Sequence, residues 1–242
     1  MICAIHQPQF IPWLGYLHKM AGVDRFVFLD TVQFKKNEFQ NRNKVLVQGE
    51  PRWLTVPVSF DFGASLAQVR IAELAGWQRK LLMTVRHHYH MTPFFEAYYP
   101  PFEAILAQEW PNLAELNAAT VRWLMACWNI RTPVVSSSTW SDVANEPTAR
   151  LVDICRRVNA DTYLSGAGGR GYLDEVAFER AGLRLSYQEF HPSEYPQHSP
   201  RVGNTFVACL SALDALFNVG GGDASGRLLG LTRTARGVGC PV

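Results

Sequence analysis

The stretch ICAIHQPQFIPWLGYLHKMAGVDRFVFLD, residues 2–30, decides the fold class. Residues 2–6 and 25–30 are short, apolar and rich in β-formers, and residues 14–22 between them have a helical pattern. Strand, helix, strand in this order predicts a βαβ unit with parallel strands, because such crossovers are nearly always right-handed. In open α/β sheets the loops at the carboxyl ends of parallel strands face the ligand crevice.

The same alternation returns in the second half of the chain. Strand patterns cover residues 132–138, 161–166 and 183–190, and helical patterns cover residues 147–158, 173–182 and 207–218. We therefore expect an α/β fold with a mainly parallel, open, Rossmann-like sheet flanked by helices. No internal repeat or linker divides the chain, so residues 1–242 are expected to form a single α/β domain.

Two segments interrupt this alternation. Residues 31–71 predict an inserted hairpin region, because KVLVQGEPRWLTVPV reads as two strands joined by a glycine-containing turn. Residues 75–128 predict a helical region of three helices with breaks at Pro93 and Pro111.

Composition restricts the class of protein. The chain has 242 residues, of which 48% are hydrophobic and 18% charged, as in a globular protein. With 23 basic and 21 acidic side chains, the whole-chain charge gives no indication of strong nonspecific nucleic-acid binding. Without a secretory signal or a long apolar run, a cytoplasmic protein with no membrane span is expected.

Metal and disulfide chemistry are not predicted. Three histidines of residues 87–90 point to different sides of one helix, so a metal site is not expected there. The five cysteines are odd in number, scattered and without CxxC spacing, which favours reduced, mostly buried thiols: Cys3, Cys127, Cys155, Cys209 and Cys240.

Two titratable residues lie at predicted strand ends. His6 closes the first strand, and its imidazole can accept a proton near cellular pH. Asp30 closes the second, so it could orient His6 or bind a substrate hydroxyl. The alternatives are a histidine that bonds only loop backbone and an aspartate that caps the next turn. Trp13 could stack against a ring or simply pack in the core.

Two polar segments are candidates for binding. Residues 33–44, QFKKNEFQNRNK, interleave amides and cations with two phenylalanines, which suits sugar hydroxyls, phosphates or single-stranded nucleic acid. Residues 163–175, YLSGAGGRGYLDE, place small residues and Arg170 between a strand and a helix, where backbone N–H groups can approach an anion. A solvated loop and a tight strand-to-helix turn are the respective alternatives. Gln197, in a proline-rich loop over residues 190–200, could reach the crevice from another side.

Six blocks in order resemble the WbqC-like protein family over residues 1–221. They are HQPQFIPWLGYLHKM, LDTVQFKKNEFQNRNKV, WLTVPV, YLSGAGGRGYLDE, HPSEYPQ and LSALDALFNVG. The resemblance implies a bacterial cytoplasmic protein associated with O-antigen and other surface polysaccharides, and an acyl or aminoacyl transfer to an amino sugar. None of the cysteines belongs to a block, which argues against a covalent thiol mechanism.

These observations lead to one principal hypothesis, a transferase that acylates the amine of a nucleotide-linked amino sugar. Its partners would be a nucleotide sugar and an acyl thioester or aminoacyl donor, carried by coenzyme A, an acyl-carrier protein or a charged tRNA. His6 and Asp30 are the expected catalytic residues. The expected substrate-binding residues are Gln7, Trp13, Gln33, Lys36, Asn41, Arg42, Asn43, Ser165, Gly166, Arg170, Tyr172, Tyr195 and Gln197.

Two alternatives remain open. A nucleotidyl- or adenylate-forming enzyme has a similar first strand and loop, but the HxGH spacing of such enzymes is absent. A non-catalytic accessory protein that binds a sugar or nucleotide would use the same amides and aromatic rings. The sequence does not identify the donor, the sugar or the oligomeric state.

Overall fold

The computed structural model describes residues 1–198, 206–222 and 224–230. The end of the predicted proline-rich loop, residues 199–200, and Cys240 lie outside these ranges. The strands are β1 (Ile2–His6), β2 (Arg25–Phe28), β3 (Arg42–Val47), β4 (Glu50–Thr55), β5 (Val58–Ser59), β6 (Arg70–Ile71), β7 (Val134–Ser136), β8 (Thr162–Ser165) and β9 (Arg184–Tyr187). The helices are α1 (Leu14–Ala21), α2 (Trp77–Tyr89), α3 (Phe95–Leu106), α4 (Leu113–Cys127), α5 (Pro147–Arg157), α6 (Glu175–Arg180), α7 (Ala212–Val219) and α8 (Ala224–Leu228).

The central sheet confirms the predicted α/β class. It has five strands in the order β7-β2-β1-β8-β9, and all neighbouring pairs are parallel. Two small antiparallel pairs, β3 with β4 and β5 with β6, lie outside it. The inserted segment therefore supplies hairpins, and the parallel sheet is built from the alternating segments on either side of it.

Side chains of the central strands alternate between two hydrophobic clusters, one on each face of the sheet. Ala4 of β1 packs in the cluster that includes α1, α4 and α7, whereas Cys3 and Ile5 pack in the cluster that includes α5 and α6. A strand directs successive side chains to opposite faces, so His6 shares the α1 face with Ala4. This alternation decides which helix His6 meets.

The strand order reverses between β1 and β8. From β1 the chain proceeds outward through β2 to β7, and it then returns to place β8 on the other side of β1. The loops that follow β1 and β8 therefore diverge. This reversal marks the position where open α/β sheets bind ligands.

Most predicted boundaries agree within a few residues, and the start of the last predicted helix differs most. A helix was expected over residues 207–218, but α7 begins at Ala212. Ser211 caps it, since its hydroxyl accepts a hydrogen bond from the Leu213 N–H at 3.2 Å. None of the helices in the described ranges is both long and apolar enough to cross a membrane.

Candidate functional site

A cavity of about 250 Å³ opens at the β1–β8 reversal. Its walls come from the end of β1, from α1, from the turn after β8 and from the segment after β9. The lining residues are His6, Trp13, Gly15, Tyr16, Lys19, Gly166, Ala167, Gly168, Gln188 and Phe190. Segments distant in sequence thus meet at the carboxyl edge of the sheet.

His6 is held as a neutral imidazole. Its Nδ1 lies 3.0 Å from the Gln7 carbonyl oxygen, which can only accept, so Nδ1 carries the proton and Nε2 is the basic nitrogen. Burial, together with the nearby Lys19 ammonium, lowers the pKa of His6 from 6.5 to about 3. The ring packs edge-on against Tyr16 at 5.0 Å between centroids. His6 can therefore accept a hydrogen bond from a ligand throughout the physiological pH range.

Lys19 is the least expected member of the cavity wall. It is only 3% exposed, and burial lowers its pKa from 10.5 to about 7. Among the described residues, Nζ has no hydrogen-bond or ion-pair partner. A Cβ added to Gly166 would lie 3.7 Å from Nζ, so the amine is beside the turn after β8. A buried amine with a pKa near 7 can give or take a proton at neutral pH.

The turn after β8 forms the opposite wall. Residues Ala167–Gly171 form a short 3-10 helix whose first internal hydrogen bond is donated by the Gly169 N–H to the Gly166 carbonyl at 2.9 Å. The N–H groups of Ala167 and Gly168 precede this bond, so they are without a partner inside the helix. Ser165 is buried and donates to the Gly166 carbonyl at 3.1 Å.

The loop between β1 and α1 is backbone-strained. Ile11 has a φ of 37°, a conformation that is costly for a β-branched residue. Its carbonyl accepts from the Asn43 amide at 2.9 Å and from the Ser211 hydroxyl at 2.7 Å. The Asn43 amide also donates to the Phe10 carbonyl at 3.2 Å. Buried side chains from two distant segments thus hold the strained turn in place.

Amides of α4 and of the insert hold the backbone around the same loop. Asn117 of α4 donates to the Pro8 carbonyl at 3.0 Å and to the Gln40 carbonyl at 2.7 Å. The Gln40 amide donates to the side-chain oxygen of Gln7. Asn41 donates to the Val56 carbonyl at 3.2 Å. These amides satisfy buried polar groups of the framework, and they do not line the cavity.

Replacing Asn43 with leucine should destabilise the fold. The change leaves the carbonyls of Phe10 and Ile11 short of a donor at a strained turn, so we expect a loss of about 2–4 kcal/mol in the free energy of unfolding. Chemical denaturation measures this loss. The exposed Asn145, replaced in the same way, is the control and should change the value by less than about 0.5 kcal/mol. If both substitutions changed the free energy of unfolding equally, Asn43 would not stabilise the turn at Ile11.

Trp13 lies against Gly15. A Cβ at Gly15 would lie 2.3 Å from Cζ2 of the Trp13 indole, so Gly15→Ala should displace the ring from the cavity wall. We expect weaker ligand binding with a small change in stability, because the clash costs about 1–3 kcal/mol and the gain in helix propensity offsets about 1 kcal/mol. Near-ultraviolet circular dichroism follows the indole. Gly171→Ala, with no atom within 4 Å of the added Cβ, should leave the spectrum unchanged.

Asp30 does not meet His6. The Ser137 hydroxyl donates to Asp30 Oδ1 at 2.8 Å, and the Ser138 N–H and hydroxyl donate to Oδ1 and Oδ2 at 2.9 and 2.6 Å. Both serines follow β7, which pairs with β2 on the side away from β1. The expectation that Asp30 orients His6 is therefore wrong, since Asp30 instead caps the turn after β7.

Tyr195 and Gln197 meet the buried Asp214 of α7. The Tyr195 hydroxyl donates to Asp214 Oδ1 at 2.7 Å, and the Gln197 amide donates to the same oxygen at 3.1 Å. Tyr89 of α2 donates to Oδ2 at 2.7 Å. Burial raises the pKa of Asp214, and the three donors oppose this rise. The cluster anchors the segment that follows β9, whose Phe190 lines the cavity.

Three of the sequence-predicted residues line the cavity, namely His6, Trp13 and Gly166. Several others lie outside it. Gln33 and Lys36 are exposed on the insert, Tyr172 is 70% exposed, and Arg170 lies over the Tyr187 ring at 4.3 Å. The sequence thus predicted residues on two opposite walls of the cavity, and it also predicted several residues that do not line the cavity.

Lys19, Gln188 and Phe190 were not predicted. The burial of Lys19 could have been predicted, since it lies three residues after Tyr16 in a short helix that is apolar on several sides. Gln188 joins β9 to α1, because its amide donates to the Gly15 carbonyl at 2.7 Å and to His18 Nδ1 at 2.8 Å. Nothing in its local sequence indicates this contact.

Comparisons with known proteins match most of this chain. An uncharacterized protein of Mycobacterium tuberculosis (strain ATCC 25618 / H37Rv), Rv1507c, is 29% identical over 220 residues, which are 90% of this chain and 93% of that protein. No solved structure gives a significant match. The model of the WbqC-like protein family matches residues 7–225, which contain every cavity residue except His6. Because this match spans most of its length, the chain belongs to the WbqC-like protein family.

Proposed function

We propose that this protein is a transferase that attaches an acyl or aminoacyl group to the amine of a nucleotide-linked amino sugar in bacterial surface polysaccharide biosynthesis. The observation that carries the proposal is Lys19, a buried amine with a pKa of about 7 and no described partner in a cavity at the sheet reversal. Formation of an amide from an ammonium group requires a base that is active near neutral pH.

The chemistry assigns a different task to each group. Neutral Lys19 takes a proton from the sugar ammonium, and the free amine attacks the carbonyl carbon of the donor. A C–N bond forms, the C–O or C–S bond to the carrier breaks, and the carrier oxygen or sulfur takes a proton from the Lys19 ammonium. Lys19, neutral again, removes the second proton that the nitrogen loses as it becomes an amide, and releases it to solvent. The cavity is suited to this step because it excludes bulk water around the amine.

His6 and the turn after β8 complete the proposed site. With its pKa at about 3, His6 stays neutral and accepts a hydrogen bond from the sugar, so Lys19 is the better base. The backbone of residues 166–168 offers donors for the negative oxygen that develops on the attacked carbonyl. Trp13 and Phe190 provide aromatic walls, with ring centroids 5.6 Å apart.

The cavity is large enough to enclose only the reacting part of a nucleotide sugar. A volume of about 250 Å³ is below the usual range of about 300–1,000 Å³ for sites that enclose drug-sized ligands. It suits one sugar ring or a short acyl group. The remainder of each substrate would lie on the neighbouring surface.

A transfer assay tests the proposal. The protein is incubated with nucleotide-linked amino sugars that have a free amine and, in turn, with a coenzyme A thioester, a carrier-protein thioester or an aminoacyl-tRNA. Mass spectrometry should detect the acylated amine with one donor class, and the N-acetylated form of the same sugar should remain unmodified. Absence of product from every pairing, or pyrophosphate release from ATP or CTP with magnesium, would overturn the proposal.

A further inference from the structure

One face of the β3–β4 hairpin exposes two aromatic rings among cations. Phe39 is 37% exposed and Trp53 is 39% exposed, with ring centroids 5.7 Å apart. Arg42 Cζ lies 4.0 Å and Lys44 Nζ 4.9 Å from the centre of the Trp53 ring. We refer to Phe39, Arg42, Lys44 and Trp53 as the hairpin patch. It lies outside the cavity described above.

Strand pairing forms this patch in advance of any ligand. Lys44 lies directly opposite Trp53 in the antiparallel register, and Arg42 is two residues from Lys44, so both cations share the Trp53 face. The turn at Gln48 and Gly49 has φ values of 53° and 86°, as two-residue hairpin turns require. Backbone pairing therefore holds Trp53 in place, and the Phe39 ring, which precedes β3, packs against it.

Charge is concentrated in this segment. Residues 35–53 contain five basic and two acidic side chains, whereas the whole chain contains 23 and 21, so the remainder has 18 basic and 19 acidic. Neither Arg42 nor Lys44 forms a salt bridge within the part of the chain that the structure describes. Arg42 Nε is buried without a hydrogen-bond acceptor there. The net charge of the whole chain is close to zero, whereas residues 35–53 carry a net positive charge.

We infer that the hairpin patch binds the single-stranded end of a nucleic acid. Exposed aromatic rings stack on unpaired bases, and adjacent Arg and Lys side chains attract the phosphates between them. Bases inside a duplex are already stacked and cannot reach the rings. If the proposed transfer reaction is correct, the bound polynucleotide is the carrier of the aminoacyl donor; the binding itself does not depend on that reaction.

The patch adjoins the loop that leads out of the cavity. The Phe10 N–H donates to the Phe39 carbonyl at 3.1 Å, and the next residue, Gln40, donates through its amide to Gln7. The Gln7 carbonyl in turn accepts a hydrogen bond from His6 Nδ1. A nucleic-acid end on the patch would therefore lie near the segment that positions His6.

Fluorescence anisotropy of a labelled eight-nucleotide single-stranded RNA tests the inference. We expect the wild-type protein to bind it more tightly than a duplex of the same sequence, and less tightly as salt increases. Trp53→Ala should weaken binding about 10-fold, and Trp53→Phe should restore most of it by retaining a ring. Lys80→Gln, which removes one cation from the exposed α2 surface, should have little effect. Equal thermal unfolding midpoints would confirm that the variants are folded.

Three results would overturn the inference. They are no preference for single-stranded RNA, an effect of Lys80→Gln as large as that of Trp53→Ala, and equally tight binding of a mononucleotide. The assay contains no acyl group, so it separates the two proposals. Failure of acyl transfer with intact RNA binding counts only against the transferase, and failure of RNA binding with intact transfer counts only against the hairpin patch.

Discussion

Lys19→Met should lower kcat/KM for the proposed transfer by about 10²- to 10⁴-fold. The wild-type kcat/KM should rise with pH up to about 7 and then level off, because Lys19 acts as a base only when it is neutral. The variant should lose this dependence. Steady-state rates between pH 5.5 and 9 measure both effects. A variant that retains full activity, or keeps the same pH dependence, would exclude Lys19 as the base.

The same change should stabilise the fold. The pKa of Lys19 is 10.5 in its ordinary state and about 7 when folded, so the unfolded chain binds more protons between these values. Burial of the charged amine therefore lowers the free energy of unfolding by its full amount below pH 7. This loss decreases as the pH rises toward 10.5. Removal of the amine should add up to about 5 kcal/mol of stability at pH 6 and less at pH 10. The exposed Lys80→Met, as the control, should change neither stability nor rate.

Asp214→Ala should destabilise the protein by about 3–5 kcal/mol, because the buried hydroxyls of Tyr89 and Tyr195 and the Gln197 amide would lose their common acceptor. Denaturant unfolding measures the loss. We also expect weaker substrate binding, since the anchored segment contributes Phe190 to the cavity.

Two further variants calibrate this result. Tyr195→Phe removes one donor and keeps the ring, so it should cost about 1 kcal/mol. Asp61→Ala alters an exposed carboxylate, and its effect should stay within about 0.5 kcal/mol. If Asp214→Ala costs no more than Asp61→Ala, the cluster does not support the fold in the way its geometry indicates.

Local pattern was sufficient to predict the elements of the sheet. The strands around residues 2–6 and 25–28 were readable because apolar β-formers stand between turn residues, and the helix between them forced a parallel pair. The position of β8 beside β1 could not be predicted from the sequence, since no local pattern specifies which edge of the sheet a later strand joins. The cavity depends on that position.

The candidate site was harder to predict than the sheet. Asp30 was expected to turn toward His6, but its partners are set by the serines after β7, and only the tertiary fold brings these together. Asn43 was taken as a ligand group, although its amide supports Phe10 and Ile11. The same types of polar residue hydrogen-bond to buried backbone groups and bind substrates, so the sequence alone does not separate the two roles.

The strained turn at Ile11 links assembly of the cavity to the far end of the chain. Its carbonyl is bonded to Ser211, 200 positions away, and Ala212 donates to the Pro12 carbonyl at 2.8 Å. Contacts between residues so distant in sequence form late in folding, because a long loop must first close. A ribosome-bound chain that has not yet emerged through α7 lacks these two bonds, so the turn beside the cavity is fixed only after most of the chain has been synthesised.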